Sequence, residues 1–175
     1  MYPKEYIEYL IHFHGDRDYF ECHEILEEYW KETDSRNKES ILVGFILLAV
    51  SNYHHRRSNY KGAQRTLNKA FSIFIQHRED LAKYGLRSED FIPFLENCMI
   101  KIKNLEEYKS YNLPIHDPQL VDACIQACNE RGFNWCQSSD LANFDLIHRH
   151  STRDRSEVIA DRKKALKVKQ NKGRE

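Results

Sequence analysis

His23, Glu24 and Glu27 stand at positions i, i+1 and i+4 of the run Tyr19-Phe20-Glu21-Cys22-His23-Glu24-Ile25-Leu26-Glu27-Glu28-Tyr29-Trp30. On a helix the first and last of the three are neighbours one turn apart. An imidazole and a carboxylate so placed can exchange a proton, and imidazole is the side chain best suited to that near neutral pH. Further along, Tyr53-His54-His55-Arg56-Arg57 with Asn59 adds a phenol, two imidazoles and guanidinium groups. Guanidinium matches carboxylate and phosphate through its planar fork of donors. With His12 and His14, five histidines fall on what read as the first three helices.

Stepping about 100° per residue from Tyr19, Ile25, Tyr29, Cys22, Leu26, Trp30 and Phe20 form one apolar arc. His23 and Glu27 fall inside it, between Trp30 and Phe20, whereas Glu21, Glu24 and Glu28 take the opposite side. A carboxylate drawn out of water is costly unless it is paired and hydrogen-bonded. Glu27 therefore calls for His23 or for a cation on a neighbouring helix. Such a pair is either a network that fixes helix register or a ligand, metal or catalytic site.

The same construction on the third helix gathers Gly44, Leu48, Ser51, Asn52 and His55 on one side, a small and polar stripe expected to form the floor of that site. The expected pocket contains Asp18, His23, Glu24, Glu27, Tyr53, His54, His55, Arg57 and Asn59. In it Glu27 and His23 act as an acid/base pair, and Arg57 holds a small anionic ligand.

Helices must position these groups. Tyr6, Ile7, Leu10, Ile11 and His14 recur at three and four after Pro3, and Gly15 ends that helix. Asp16 or Asp18 caps a second, from about Tyr19 to Lys31. Polar residues 33–38 read as a loop. Residues 41–50 are apolar all round, which marks the third helix, to about Arg57, as the centre of a bundle. Ser58-Asn59 opens a fourth, running through Leu81 to a cap at Gly85. Ser88 opens a fifth, to about Leu105. Pro114 and Pro118 mark an extended strap, followed by a short helix over 119–130. The expected fold is all-α: a compact bundle of about five helices over residues 1–110, an extension over 111–148 packing on it, and a basic, solvated terminal helix over 149–175.

The whole chain carries 27 basic and 27 acidic residues, which removes any global electrostatic argument for nucleic acid. Residues 149–175 alone hold ten Lys or Arg against four Asp or Glu, so nucleic acid or an acidic protein is a conceivable partner there. Aromatic stacking residues are missing from that segment. No run of roughly 18 apolar residues and no signal-peptide start appears, so a cytoplasmic protein without membrane contact is expected. Five cysteines without an export signal are expected as free thiols. Cys124, Cys128 and Cys136 with His148 and His150 carry zinc-ligand chemistry, but at the wrong spacing for a zinc ribbon. Paired helix cysteines are commonly small core residues, so no metal is assigned.

His23-Glu24-x-x-Glu27 falls one ligand short of His-Glu-x-x-His, and the Glu-x-x-His of di-iron bundles is absent. A glycine-rich phosphate loop and a Gly-x-Ser-x-Gly elbow are also absent. No motif names a cofactor. The run Phe13-His14-Gly15-Asp16-Arg17-Asp18-Tyr19-Phe20-Glu21-Cys22-His23-Glu24 with Leu26, Glu27 and Trp30, then Ala49, Tyr53 to Arg57, Asn59 and Gly62-Ala63, resembles the bacterial and archaeal family catalogued as domain of unknown function 309. Leu113-Pro114-Ile115, Asp117-Pro118 and Arg153 to Ile159 are similar to its longer, Bacillus-type members, called YpuF-like.

The resemblance implies a helical bundle and points to Asp18, Glu21, His23, Glu24, Glu27, Tyr53, His54, Arg57 and Asn59, without implying an activity. Leu47 departs from its pattern, where glutamine is usual, as does Ser58, where glycine is common. The leading expectation is a binding or scaffolding protein with a polar His/Glu/Arg pocket. The alternatives are a metal-assisted hydrolase using the same cluster and a nucleic-acid or ribosome-associated adaptor acting through the basic tail.

Overall fold

The computed structural model describes residues 1–152 together with 160, 163 and 164. The stretch of the basic tail on which the adaptor reading rests lies mostly outside them. Helix α1 spans Lys4–His14, and its Tyr6, Tyr9, Leu10 and Phe13 are buried at the expected spacing of three and four. The Gly15 amide closes it on the Ile11 carbonyl. Arg17 then takes a left-handed φ of 59°, reversing the chain so that the Asp18 carboxylate accepts from the Glu21 amide and opens α2, Tyr19–Thr33. Ser40 caps α3, Ile41–Arg56, and Asn59 caps α4, Tyr60–Gln76, by accepting from Gly62.

Helix α3, apolar on all sides, packs on both α2 and α4 and is the centre of the bundle. At Gly44 an added methyl group would stand 3.0–3.2 Å from Phe74 and Ile73, and the Ser51 hydroxyl donates to the Ala63 carbonyl at 2.9 Å. The small stripe of α3 is therefore part of its seam with α4, not the floor expected beneath His23 and Glu27. Aromatic rings then cross the core: Tyr6 lies 5.2 Å from Phe45, Phe45 5.0 Å from Phe74, and Phe74 5.0 Å from Phe91. Such edge contacts, made by the last two pairs, add about 0.5–1.5 kcal/mol each beyond simple burial.

The fourth helix ends sooner than its pattern implied. After Gln76 the chain tightens into a 3-10 turn, Arg78–Tyr84, in which the Asp80 amide bonds the His77 carbonyl. Leu81 is still buried, and Gly85 caps the turn at φ 71°. Helix α5, Ser88–Lys103, closes the bundle against α4. An extended strap follows, then α6, Pro118–Glu130, capped by Asp117 and packed on α1. Two single-turn helices, α7 (Phe144–Ile147) and α8 (Arg149–Thr152), end the described segment. The fold is all-α, with one isolated bridge, Leu86 to Ile115, among the described residues.

Polar side chains of the α1–α2 corner hold the strap and the segment after α6. His14, fully buried, donates from Nδ1 to the Leu10 carbonyl and accepts the Leu113 amide on Nε2, while Trp135 stacks on its ring at 4.4 Å. Arg17, 1% exposed, donates to the carbonyls of Phe13, Tyr111 and Gln137 and to the Asn112 side chain at 2.6–2.9 Å. Arg131 grips Glu8 with two bonds of 2.6 and 2.7 Å. No helix of the described residues is long and apolar enough to cross a membrane.

Candidate functional site

The helical spacing of α2 does bring its three polar groups together. His23 Nε2 lies 2.9 Å from Glu27 Oε2 and Nδ1 lies 3.1 Å from Glu24 Oε1, so both ring nitrogens face carboxylates. Glu27 also takes Lys31 at 2.7 Å through its other oxygen. The imidazole is 27% exposed and the Glu27 side chain 32%, close to the 34% of Glu24. The pair therefore sits on the margin of the core-facing arc, because α3 turns the moderately exposed Val43 and Leu47 toward it rather than closing over it. These residues, with Trp30, Lys38 and Lys69, line a hollow of about 270 Å³. Ligand atoms of His23, Glu24 and Glu27 lie within 4.8 Å of one another, close enough for one cation, which would share the Glu27 carboxylate with Lys31.

Phe20 separates this cluster from a second one. Its ring is 6.0 Å from His23 on one side and 6.1 Å from Tyr53 on the other. At the C-terminal end of α3 the Arg57 guanidinium lies over the Tyr53 ring, 5.4 Å from its centroid, and its Nε donates to His148 Nδ1 at 3.2 Å. The Tyr53 hydroxyl is hydrogen-bonded to His150 Nδ1 and also accepts the His150 amide. Between these two His residues, Arg149 reaches Asp18 at 3.2 Å. Three consecutive residues where the extension meets the basic tail thus each contact a different residue of the expected pocket.

His54 completes the second cluster. Asn59 Nδ2 donates to its Nδ1 at 3.1 Å, an approach that Gly62 permits, since a methyl group there would stand 2.6 Å from the Asn59 amide and 3.0 Å from the ring. Burial pushes the His54 pKa down, and the positive groups of Arg57, Arg65 and His150 push it further. Among the described residues no carboxylate forms an ion pair with Arg57.

The expected pocket is therefore divided. Tyr53, His54, Arg57 and Asn59 are together, and His23, Glu24 and Glu27 are together. His55 belongs to neither: its Nε2 donates to the Glu106 carbonyl at 2.8 Å, and it lines a cavity between α3 and α5. Asp18 is buried and committed to capping α2 and to Arg149. Leu47 lines the hollow beside His23, so the position departing from the family pattern contributes an apolar wall there.

The cysteine candidates do not assemble. Cys124 and Cys128 are buried against α1, where burial pushes their thiols up, Cys124 to about 12, and their sulfurs do not gather with the ligand atoms of Cys136, His148 and His150. His148 and His150 are engaged at the end of α3. Sequence reasoning missed that engagement, as well as the structural weight of His14, Arg17 and Arg56. Arg56 is buried over the Tyr19 ring at 4.7 Å and donates to the carbonyls of Arg17 and Leu146.

The family model described as Domain of unknown function (DUF309) matches residues 6–66, which hold α1, α2, α3 and the start of α4. The chain is similar to "Uncharacterized protein YpuF" of Bacillus subtilis (strain 168), with 43% identity over 166 residues that cover 95% of each chain. No solved structure matches it.

Proposed function

Since the chain belongs to the family of domain of unknown function 309 as a YpuF-like member, and that description names no activity, we propose on the geometry that it is a binding protein. The end of α3 receives an anionic group there. The observation that carries this is Arg57: its guanidinium rests on Tyr53, donates to a neutral acceptor on His148, and has no carboxylate among the described residues. A guanidinium in that state keeps donors for a carboxylate or phosphate oxygen. Arg65, which with Arg57 bears on His54, adds to the same field.

Calorimetric titration with inorganic phosphate and with sulfate tests the reading. Saturable binding is expected, and Arg57→Ala should weaken it at least about ten-fold, which is about 1.4 kcal/mol. The free protein holds the His54 pKa below its ordinary 6.5, and a bound anion raises it again. Binding then takes up a proton, so sulfate affinity should rise as the pH falls below about 6.5. Unsaturable heats, or equal affinity in Arg57→Ala, would end the proposal.

A metal-assisted hydrolase at His23, Glu24 and Glu27 is the second reading, favoured by the closeness of their ligand atoms. It carries less weight because Lys31, Lys38 and Lys69 surround the same place.

A further inference from the structure

Helix α5 is seated on the bundle by a single row of side chains. Phe91, Leu95, Cys98 and Ile102, spaced four, three and four apart, are all buried, and such a stripe is what a helix needs to face one core. The helix carries more apolar surface than that. Ile92 and Met99 are half-buried, and Ile100 is 56% exposed. On neighbouring α4, Phe71 is half-buried, and Ile75, one turn further, is 42% exposed. Phe71, Met99 and Ile100 line a shallow groove of about 520 Å³ between the two helices. Apolar side chains exposed singly are ordinary, but a row of them along a groove marks a surface that another molecule covers.

The charges of the groove select that molecule. Glu96 and Lys103 also line it, both exposed and two helical turns apart, about 10 Å along α5. Among the described residues neither forms an ion pair. One acid and one base cancel, so the groove has no net charge with which to attract a strongly basic segment, a nucleic acid or an acidic surface. A second copy of the chain brings the same two charges, and a two-fold axis presents them in reverse order. The midpoint of Glu96 and Lys103 is also the midpoint of Met99 and Ile100. With the axis there and the two α5 helices antiparallel, Glu96 of each copy faces Lys103 of the other, and Met99 faces Ile100. A parallel pairing would instead set Glu96 on Glu96 and Lys103 on Lys103.

From this self-complementarity we infer that the face formed by α4 and α5 is where two copies of this chain pair, α5 against α5 in antiparallel, with Ile100 of each seated in the other's groove. The apolar centre supplies the affinity. The flanking ion pairs set register and direction, because exposed pairs add little to affinity and much to specificity. The two α4 helices flank the pair, so the contact has the layout of an antiparallel four-helix bundle.

Sedimentation equilibrium of the full chain, from low micromolar to near-millimolar concentration, tests the inference. The mass should rise from that of one chain toward that of two. Ile100→Glu changes an exposed side chain and should weaken pairing by about ten-fold or more. Glu96→Lys alone and Lys103→Glu alone should each weaken it by about five-fold, because like charges then face each other on both sides of the axis. An equimolar mixture of these two single variants should pair again, since one supplies only lysine at the two positions and the other only glutamate. The chain carrying both substitutions should pair as wild type does. Far-ultraviolet ellipticity checks that each variant is folded. Three results overturn the inference: a single chain at every concentration, whether an unlike partner or the chain's own basic tail fills the groove instead; pairing that Ile100→Glu leaves intact; or charge variants that pair as wild type does or that mixing fails to restore. No residue of the anion site at Arg57 lines this groove, so neither proposal depends on the other.

Discussion

At His14 the hydrogen-bond pattern fixes the charge. The ring donates from one nitrogen and accepts on the other, so a second proton would set two N–H groups against each other at the Leu113 amide. Burial pushes its pKa from 6.5 down to about 3. The unfolded chain therefore holds more protons than the folded one between those two values. Stability is complete above pH 6.5 and falls as acid is added through the window, by up to about 1.4 kcal/mol per pH unit from this residue. The ring resonances of His14 should keep their neutral positions at mildly acid pH; a ring that titrates near 6.5 would refute this. Sequence reasoning placed His14 on the inner face of α1 but could not see that its partners are 99 and 121 positions away. It did anticipate the His23 and Glu27 pairing, because that pairing is local. The depth of the pair was not legible, since a helical wheel gives the direction of a side chain and not how far the next helix stands off.

Among the elements, the boundaries that local chemistry decides were readable. Asp18, Asn59 and Gly85 cap as their residue types imply, and Ser40 and Asp117 do the same at α3 and α6. Which face of α3 meets which neighbour was not, because small residues invite any close backbone, and here α4 takes the place. The strap and its corner depend most on Arg17, whose guanidinium has four carbonyl oxygens in reach and, among the described residues, no carboxylate bonded to it. Arg17→Met should cost about 1–3 kcal/mol, the penalty for leaving buried acceptors without a donor. Denaturant midpoints measure it, and amide exchange should speed up at 111–113 and 137. A loss below about 1 kcal/mol would mean that the oxygens find water at little cost.

For the molecule as a whole, the balanced charge hides a division: the first 148 residues hold 17 basic and 23 acidic side chains, and the remainder ten and four. Arg149 on Asp18 is the described ion pair that joins the two parts. Expecting residues 1–110 to form the bundle invites a direct check. That segment alone lacks the partners of His14, Arg17 and Glu8, so it should melt broadly and lose near-ultraviolet ellipticity. A sharp, cooperative melt like that of the full chain would show the bundle to be self-sufficient. There is also a kinetic side to α1. It precedes the other described helices in the chain, yet its outer face is covered by Leu113, Cys128, Arg131 and Trp135. Contacts so distant in the chain slow folding, because long loops must close before any of them is gained. During translation, then, α1 waits with that flank bare until more than a hundred further residues have emerged, and it is there that a nascent chain would need a chaperone's shelter.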